Sequence, residues 1–340
     1  MNPGRPGGGG PAVVLLGDVM TDLVARLDGP LVPAGDSPAR ISVEGGGAAA
    51  NTAAWLAGLG VRTVLLGRVG DDAAGRSATG ALRAAGVETR FAVDRERPTG
   101  TVIVLVEPGG ERTMVPDAGA NAALAAEDLP TQVFRRAAHL HLSGYTLLRP
   151  GSRGAGLAAL GLARAAGMTV SVDAASAGPL EAAGAARFLS WIGGIEILFA
   201  NLPEARTLAR ASQGPSTAVT AAVGSSPLVH GAQPRTIGSV LTEHCRLAVV
   251  KLGAEGALAC TSGGECEHVG AVPLDPGAAV DSTGAGDAFA AGFLRAWLAG
   301  RPVGDALRSG SALAARAVSG VGARPALPSI GTESQSTQSR

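Results

Sequence analysis

The chain has 340 residues, of which 46% are apolar and 16% charged. That is enough apolar material for a large buried core, and it excludes global disorder. The 28 basic and 28 acidic side chains cancel, and no basic stripe is visible. A dedicated nucleic-acid binder is therefore not expected, nor is a membrane span, since no apolar run approaches about 18 residues.

In chain order, residues 1–11 are rich in Gly and Pro and read as a disordered tail. The apolar run Val13–Leu16 is too short for a signal-peptide core, so a cytoplasmic location is expected. Ala12–Gly17 reads as a strand, Ala49–Leu59 as a helix, Thr63–Leu66 as a strand and Ala73–Ala85 as a helix. Strands Thr101–Val106 and His139–Leu142 follow, then helix Ser152–Ala166, strand Thr169–Asp173, helix Pro179–Ile192, strand Ile195–Ala200 and helix Pro203–Arg210. Strand Leu247–Leu252 and helices Ala285–Ala299 and Val303–Ser319 complete the series, and 329–340 reads as a second disordered tail. Short apolar strands ending in Gly, Asp or Asn suit a buried parallel sheet. Their alternation with helices predicts one α/β domain over 12–328, a three-layer sandwich with helices on both faces. Ligands in such folds sit outside the carboxyl ends of the strands.

Two segments, 22–44 and 91–117, break the alternation with shorter, more polar β-like stretches (Asp22–Leu27, Ala39–Val43, Glu111–Val115). They are expected to form a small β lid. Residues 211–243 lack clear periodicity and read as a flexible insertion. Cys245, Cys260 and Cys266 have no CxxC spacing and are expected as free thiols.

Two segments carry chemistry. In Asp281-Ser-Thr-Gly284-Ala285-Gly286-Asp287, a glycine-rich turn opens a helix. The first-turn N–H groups of a helix lack intrahelical partners, and its dipole is positive there, which makes an anion hole. A carboxylate at Asp287 beside that hole could take the proton of a hydroxyl, the pairing that phosphoryl transfer to an alcohol needs. The same Asp could equally be no more than a residue favoured by a helix start. In Gly45-Gly46-Gly47-Ala-Ala-Ala-Asn51, glycines precede a small-residue helix with one polar side chain. This suits close approach of a polyhydroxylated ligand, or simply tight packing. A Walker A loop is excluded, because the only Lys, Lys251, is followed by Leu252.

These two segments resemble the signature motifs of the ribokinase, or PfkB carbohydrate kinase, family. Further pieces agree in order: Gly17-Asp-Val-Met-Thr-Asp22, Gly67-Arg-Val-Gly-Asp-Asp72-Ala-Ala-Gly75, Asn201-Leu-Pro-Glu204, Lys251-Leu-Gly253-Ala-Glu-Gly256 and Gly322-Ala-Arg-Pro325. The resemblance implies a ribokinase-like fold and ATP-dependent phosphorylation of a sugar or sugar-like hydroxyl. It makes Asp287 the base, with the backbone of Gly284, Ala285 and Gly286 as the anion hole. Asp22, Gly46, Gly47 and Asn51 would bind the acceptor. Asn201 and Glu204, also readable as a helix capping pair, would help hold ATP and Mg²⁺, Glu204 through water. Lys251, Gly253 and Gly256 would line the nucleotide site, with Ser311–Ala317 as the adenine wall. Asp281 and Thr283 match a position that in some relatives binds a monovalent cation such as K⁺. Ala48-Ala49 stand where ribokinase proper has Lys-Gly, which weakens the case for ribose itself. Tyr145 could stack on a ring, and Arg112 could meet a carboxylate or phosphate on the acceptor. A nucleoside acceptor therefore stays open, as does a catalytically silent sensor, although a sensor would need no Asp287. In relatives the lids often pair, so a homodimer through the lid is expected.

Overall fold

The computed structural model describes residues 12–109, 111–213, 233–275, 281–320 and 322–325. Its thirteen strands are β1 (Ala12–Leu16), β2 (Met20–Leu27), β3 (Ala39–Gly46), β4 (Thr63–Gly70), β5 (Glu88–Asp94), β6 (Gly100–Val106), β7 (Arg112–Asp117), β8 (Ala137–Ser143), β9 (Thr169–Asp173), β10 (Ile195–Asn201), β11 (Cys245–Lys251), β12 (Ala257–Thr261) and β13 (Cys266–Val269). The helices are α1 (Ala48–Gly58), α2 (Ala73–Ala84), α3 (Thr131–Phe134), α4 (Gly144–Leu148), α5 (Pro150–Ala165), α6 (Ala177–Ala183), α7 (Ala185–Ile192), α8 (Leu202–Ser212), α9 (Pro234–Leu241), α10 (Ala285–Leu298) and α11 (Val303–Val318).

Nine strands form one open sheet in the order β13-β12-β11-β10-β9-β8-β1-β4-β5. From β11 to β5 all neighbours are parallel, and β12 and β13 add an antiparallel hairpin at one edge. Period-two alternation sorts the strand residues onto two cores. Val14, Leu16, Leu140, Leu142, Val172 and Leu198 meet α5, α7, α8 and α9 on one face. Val13, Leu15, Leu65, Phe199, Leu247 and Val249 meet α1, α2, α10 and α11 on the other. The expected three-layer, ribokinase-like sandwich is present. The strand order reverses beside β1, whose neighbours are β8 and β4, and that places a switch-point crevice at its carboxyl end.

A second sheet, β3-β2-β6-β7, crosses over that crevice. Thr101–Val106, a strand within the expected lid segment 91–117, lies here as part of β6, paired with β2 in parallel register after β2 leaves the main sheet past Gly17-Asp18-Val19. Residues 91–94, assigned in sequence to the lid, instead end β5 on the edge of the main sheet.

Other expectations need correcting. Gly184, at φ 89°, divides Pro179–Ile192 into α6 and α7; a side chain there would be strained. Within 211–243, α8 extends to Ser212 and Pro234–Leu241 form α9, with proline at its first position; residues 214–232 lie outside the described residues. The expected tails at 1–11 and 329–340 also lie outside them. Cys260 and Cys266 are not free thiols. The β12–β13 hairpin sets them directly opposite, Cα atoms 4.2 Å apart, and they are joined as a disulfide. Cys245 is free and buried, its thiol pushed up to about 12 by burial. Among the described residues no helix is long and apolar enough to cross a membrane.

Candidate active site

The carboxyl ends of three parallel strands supply one wall of the site. β9 ends in Asp173, β10 in Asn201 and β11 in Lys251, with Asn201 and Lys251 paired in register. α10 rises opposite them. Its cap, Gly284, has φ 73°, and a Cβ there would fall 2.6 Å from the Cβ of Ala323, so only glycine fits the turn. Asp287 lies in the first turn of α10.

Asp287 Oδ2 accepts a hydrogen bond from Asn51 Nδ2 at 2.9 Å. Asn51 Oδ1 in turn accepts from Arg324 Nε at 3.1 Å, and Arg324 Nη2 donates to the Gly46 carbonyl at 2.7 Å. This relay is possible because α1 packs closely on α10 through small residues, including Ala50, Ala54, Ala288 and Ala291. Desolvation raises the Asp287 carboxyl to about 7; the Asn51 hydrogen bond and Lys251 oppose this, while Asp173 and Asp22 reinforce it. Burial likewise raises Asp22 to about 6 against the pull of Arg324, and it lowers Arg324 to about 10. Asp22 Oδ1 is buried with no hydrogen-bond partner among the described residues. A Cβ at Gly46 would overlap the Asp22 carboxylate, and one at Gly47 would overlap the Asp18 backbone. Asp22, Gly46, Gly47, Asn51 and Asp287 are thus brought together beneath the lid.

Lys251 is bound to a residue that sequence reasoning missed. Its Nζ lies 2.7 Å from Asp173 Oδ2 and 3.2 Å from where a Cβ on Gly286 would be. Burial lowers the affinity of Lys251 for its proton, but the Asp173 and Glu204 carboxylates outweigh burial and the pKa is raised. Asn201 and Glu204 form a full capping box: Glu204 N donates to Asn201 Oδ1 at 2.9 Å, and Asn201 N donates to Glu204 Oε2 at 2.8 Å. Burial raises Glu204 despite Lys251 nearby. Among the described residues no group of three or more His, Cys, Asp or Glu side chains could hold a metal. A Mg²⁺ ion that keeps its waters and takes phosphate oxygens still fits beside Glu204, because it needs only one or two protein carboxylates.

Beyond Gly286 and Lys251 opens a cleft of about 650 Å³. Gly253 and Gly256 line one side, and Ser311, Ala314, Ala315 and Val318 of α11 the other. A second missed pair joins the turn after β1 to the start of α5. Arg149 Nη1 donates to both Asp18 oxygens, at 2.8 and 2.6 Å, and its guanidinium lies over the Tyr145 ring, 5.2 Å from the centroid. Arg112 pairs with Asp281 Oδ1 at 2.7 Å. Thr283 N donates to the same oxygen at 2.9 Å, so Asp281 and Thr283 do meet, but around a guanidinium.

The model of the pfkB family carbohydrate kinases matches residues 11–330. The chain belongs to that family. As a pfkB-family protein it is an ATP-dependent carbohydrate kinase, and its relatives fit this. It is 33% identical to an ATP-dependent ribose-1-phosphate kinase of Halopiger xanaduensis, over 92% of this chain and 94% of that one. It is 31% identical to a fructokinase of Escherichia coli, over 83% of both. Among solved structures it is similar to the adenosine kinase of Sinorhizobium meliloti, with TM-score 0.79, 28% identity and coverage of 93% and 96%. A ribokinase of Cryptococcus neoformans, solved in complex with ADP, shares the fold, with TM-score 0.71 at 23% identity and coverage of 94% and 97%.

Proposed function

We propose that this kinase moves the terminal phosphoryl group of ATP to a hydroxyl of a small sugar held between the lid and Gly46–Asn51, with Asp287 as the base. The observation that carries this reading is the position of Asp287. It sits at the junction of the acceptor pocket and the nucleotide cleft, beside a glycine-capped helix start, with its carboxyl near 7. Asp22, with an acceptor oxygen left unpaired, and Asn51 bind and orient the acceptor hydroxyls. The backbone of Gly284, Ala285 and Gly286 receives the phosphoryl oxygens, and Lys251 supplies positive charge beside Gly286. Asp287 takes the proton from the attacking oxygen as it adds in line to phosphorus. Mg²⁺, when bound with ATP near Glu204, neutralises the triphosphate.

The Arg149 guanidinium already covers the Tyr145 ring, which favours a sugar over a stacked nucleobase. Release of ADP with a panel of sugars, sugar phosphates and nucleosides tests this reading. Asp287→Asn is expected to lower kcat by about 10²–10⁴-fold. Near-wild-type turnover in that variant would remove Asp287 from the base role. The outer lid face exposes Val43, Ile103 and Val115 in one cross-strand row, and we read it as the surface through which two copies pair. Sedimentation of Val43→Glu against wild type tests it, since a dimer is expected to dissociate in the variant and a monomer to be unaffected.

A further inference from the structure

Asp281 opens the loop that carries the anion hole, and both of its oxygens are occupied. Oδ1 accepts from Thr283 N at 2.9 Å and pairs with Arg112 Nη2 at 2.7 Å. Oδ2 accepts from Gly322 N at 3.2 Å and Arg26 Nη2 at 3.5 Å. A carboxylate offers about four lone-pair sites, so this one has none free for a metal ion. The site is also closed, with Asp281 only 6% exposed. A monovalent cation, expected here from the resemblance to some relatives, does not fit these residues as they stand.

Both guanidiniums come from the lid, and the register explains why. Arg26 of β2 faces Val106 of β6, and Val106 faces Arg112 of β7. Residues paired in register across a sheet share a face, so the two arginines project together from the underside of the lid. Their planar, permanently charged groups match a carboxylate well. Among the described residues Arg112 Nε stays buried without a partner, a destabilising feature retained where the guanidinium reaches Asp281.

We propose that Arg112 and Arg26 stand in for the monovalent cation at Asp281, acting as positioning residues that tie the anion-hole loop to the closed lid, so that this kinase needs no K⁺. The inference rests on the kinase reading above, but it can fail separately. Arg112, with Arg26 at longer range, gives the loop positive charge where a cation would bring it, and makes that charge depend on the lid being shut over the acceptor.

The test compares KCl, NaCl and tetramethylammonium chloride at one ionic strength, reading ADP release and, independently, the melting temperature of the unliganded protein. Wild type is expected to turn over equally in all three, within about twofold, and to melt at one temperature, because a salt stabilises specifically only by binding the native state. Arg112→Met is expected to lose about tenfold or more in kcat in tetramethylammonium, and to recover activity and gain melting temperature in KCl. Adding Asp281→Asn is expected to abolish that K⁺ response, which a merely structural role for Arg112 would not predict. Activation or thermal stabilisation of the wild type by K⁺ overturns the inference. So does an Arg112→Met protein whose activity and melting ignore the cation. If no acceptor yields ADP under any cation, the kinase reading falls, and the melting series still decides the cation question.

Discussion

Replacing Asn51 by alanine is expected to move the pH at which the base becomes active. Asn51 Nδ2 is the side-chain donor to Asp287 Oδ2, at 2.9 Å. The carboxyl stands at about 7 because desolvation outweighs that bond. A hydrogen bond to a charged group contributes about 1.5–3 kcal/mol, and about 1.4 kcal/mol corresponds to one pH unit of ionisation. Loss of the bond should therefore shift ionisation alkaline by about one to two pH units. The carboxylate is the working form, so wild-type kcat/KM rises with pH through about 7 and then levels. In Asn51→Ala the rise comes later, with activity at pH 7 reduced about 5–50-fold and partly regained at alkaline pH. On the proposed reading Asn51 also binds the acceptor, so a lower plateau is expected as well; the position of the rise is the diagnostic. ADP release measured from pH 5 to pH 10 in both proteins and in Asp287→Asn decides it. An unshifted rise in Asn51→Ala, or a rise that survives in Asp287→Asn, would refute the reasoning.

Three other outcomes follow from the same geometry. A carboxyl whose pKa is raised on folding stabilises the fold fully below its unfolded value of about 4, and that contribution is lost as pH rises through about 7. Asp287→Asn is therefore expected to be more stable than wild type at pH 8, by at most about 4 kcal/mol since the side chain keeps some solvent contact, with the two converging near pH 4 in denaturant titrations. Lys251→Met strips the ammonium from Asp173 and should cost about 3 kcal/mol of stability while raising the KM for ATP. Adding Asp173→Asn should restore most of the stability but not the KM, and unchanged ATP affinity in the single variant would exclude Lys251 from the nucleotide site. Gly46→Ala drives a Cβ into the Asp22 carboxylate; acceptor KM should rise with ATP affinity unaltered, which isothermal titration with an ATP analogue would check.

The alternation of apolar strands and helices was legible because each strand buries both faces and each helix one. Thr101–Val106 has the apolar run of a core strand; its place within the lid segment 91–117 and its pairing with β2 set it apart. The hairpin of β12 and β13, and with it the disulfide, depends on a turn at Ser262-Gly263-Gly264 that spacing rules for cysteines do not weigh. Within the site, Asp287, Asn51, Asp22, Asn201 and Glu204 stand in recognisable local runs. Asp173, Asp18 and Arg149 do not. Each gains its meaning from a partner 78 or 131 positions away, and a carboxylate at a strand end has no local mark of that. Arg112 was singled out for its charge, but its partner was out of view. A guanidinium aimed at a ligand and one aimed at a neighbouring loop look identical in sequence.

Arg324 stands 273 positions after Asn51, and Trp55 Nε1 donates to the carbonyl of Ala323 at 3.0 Å. A ribosome therefore delivers the acceptor-side groups long before the residue that steadies them. Until the final stretch docks, Asn51 Oδ1 lacks its donor and the Gly46 carbonyl its guanidinium. A nascent chain can therefore fold most of its sheet before the contacts that tie Asn51 and Gly46 to the last described stretch can form.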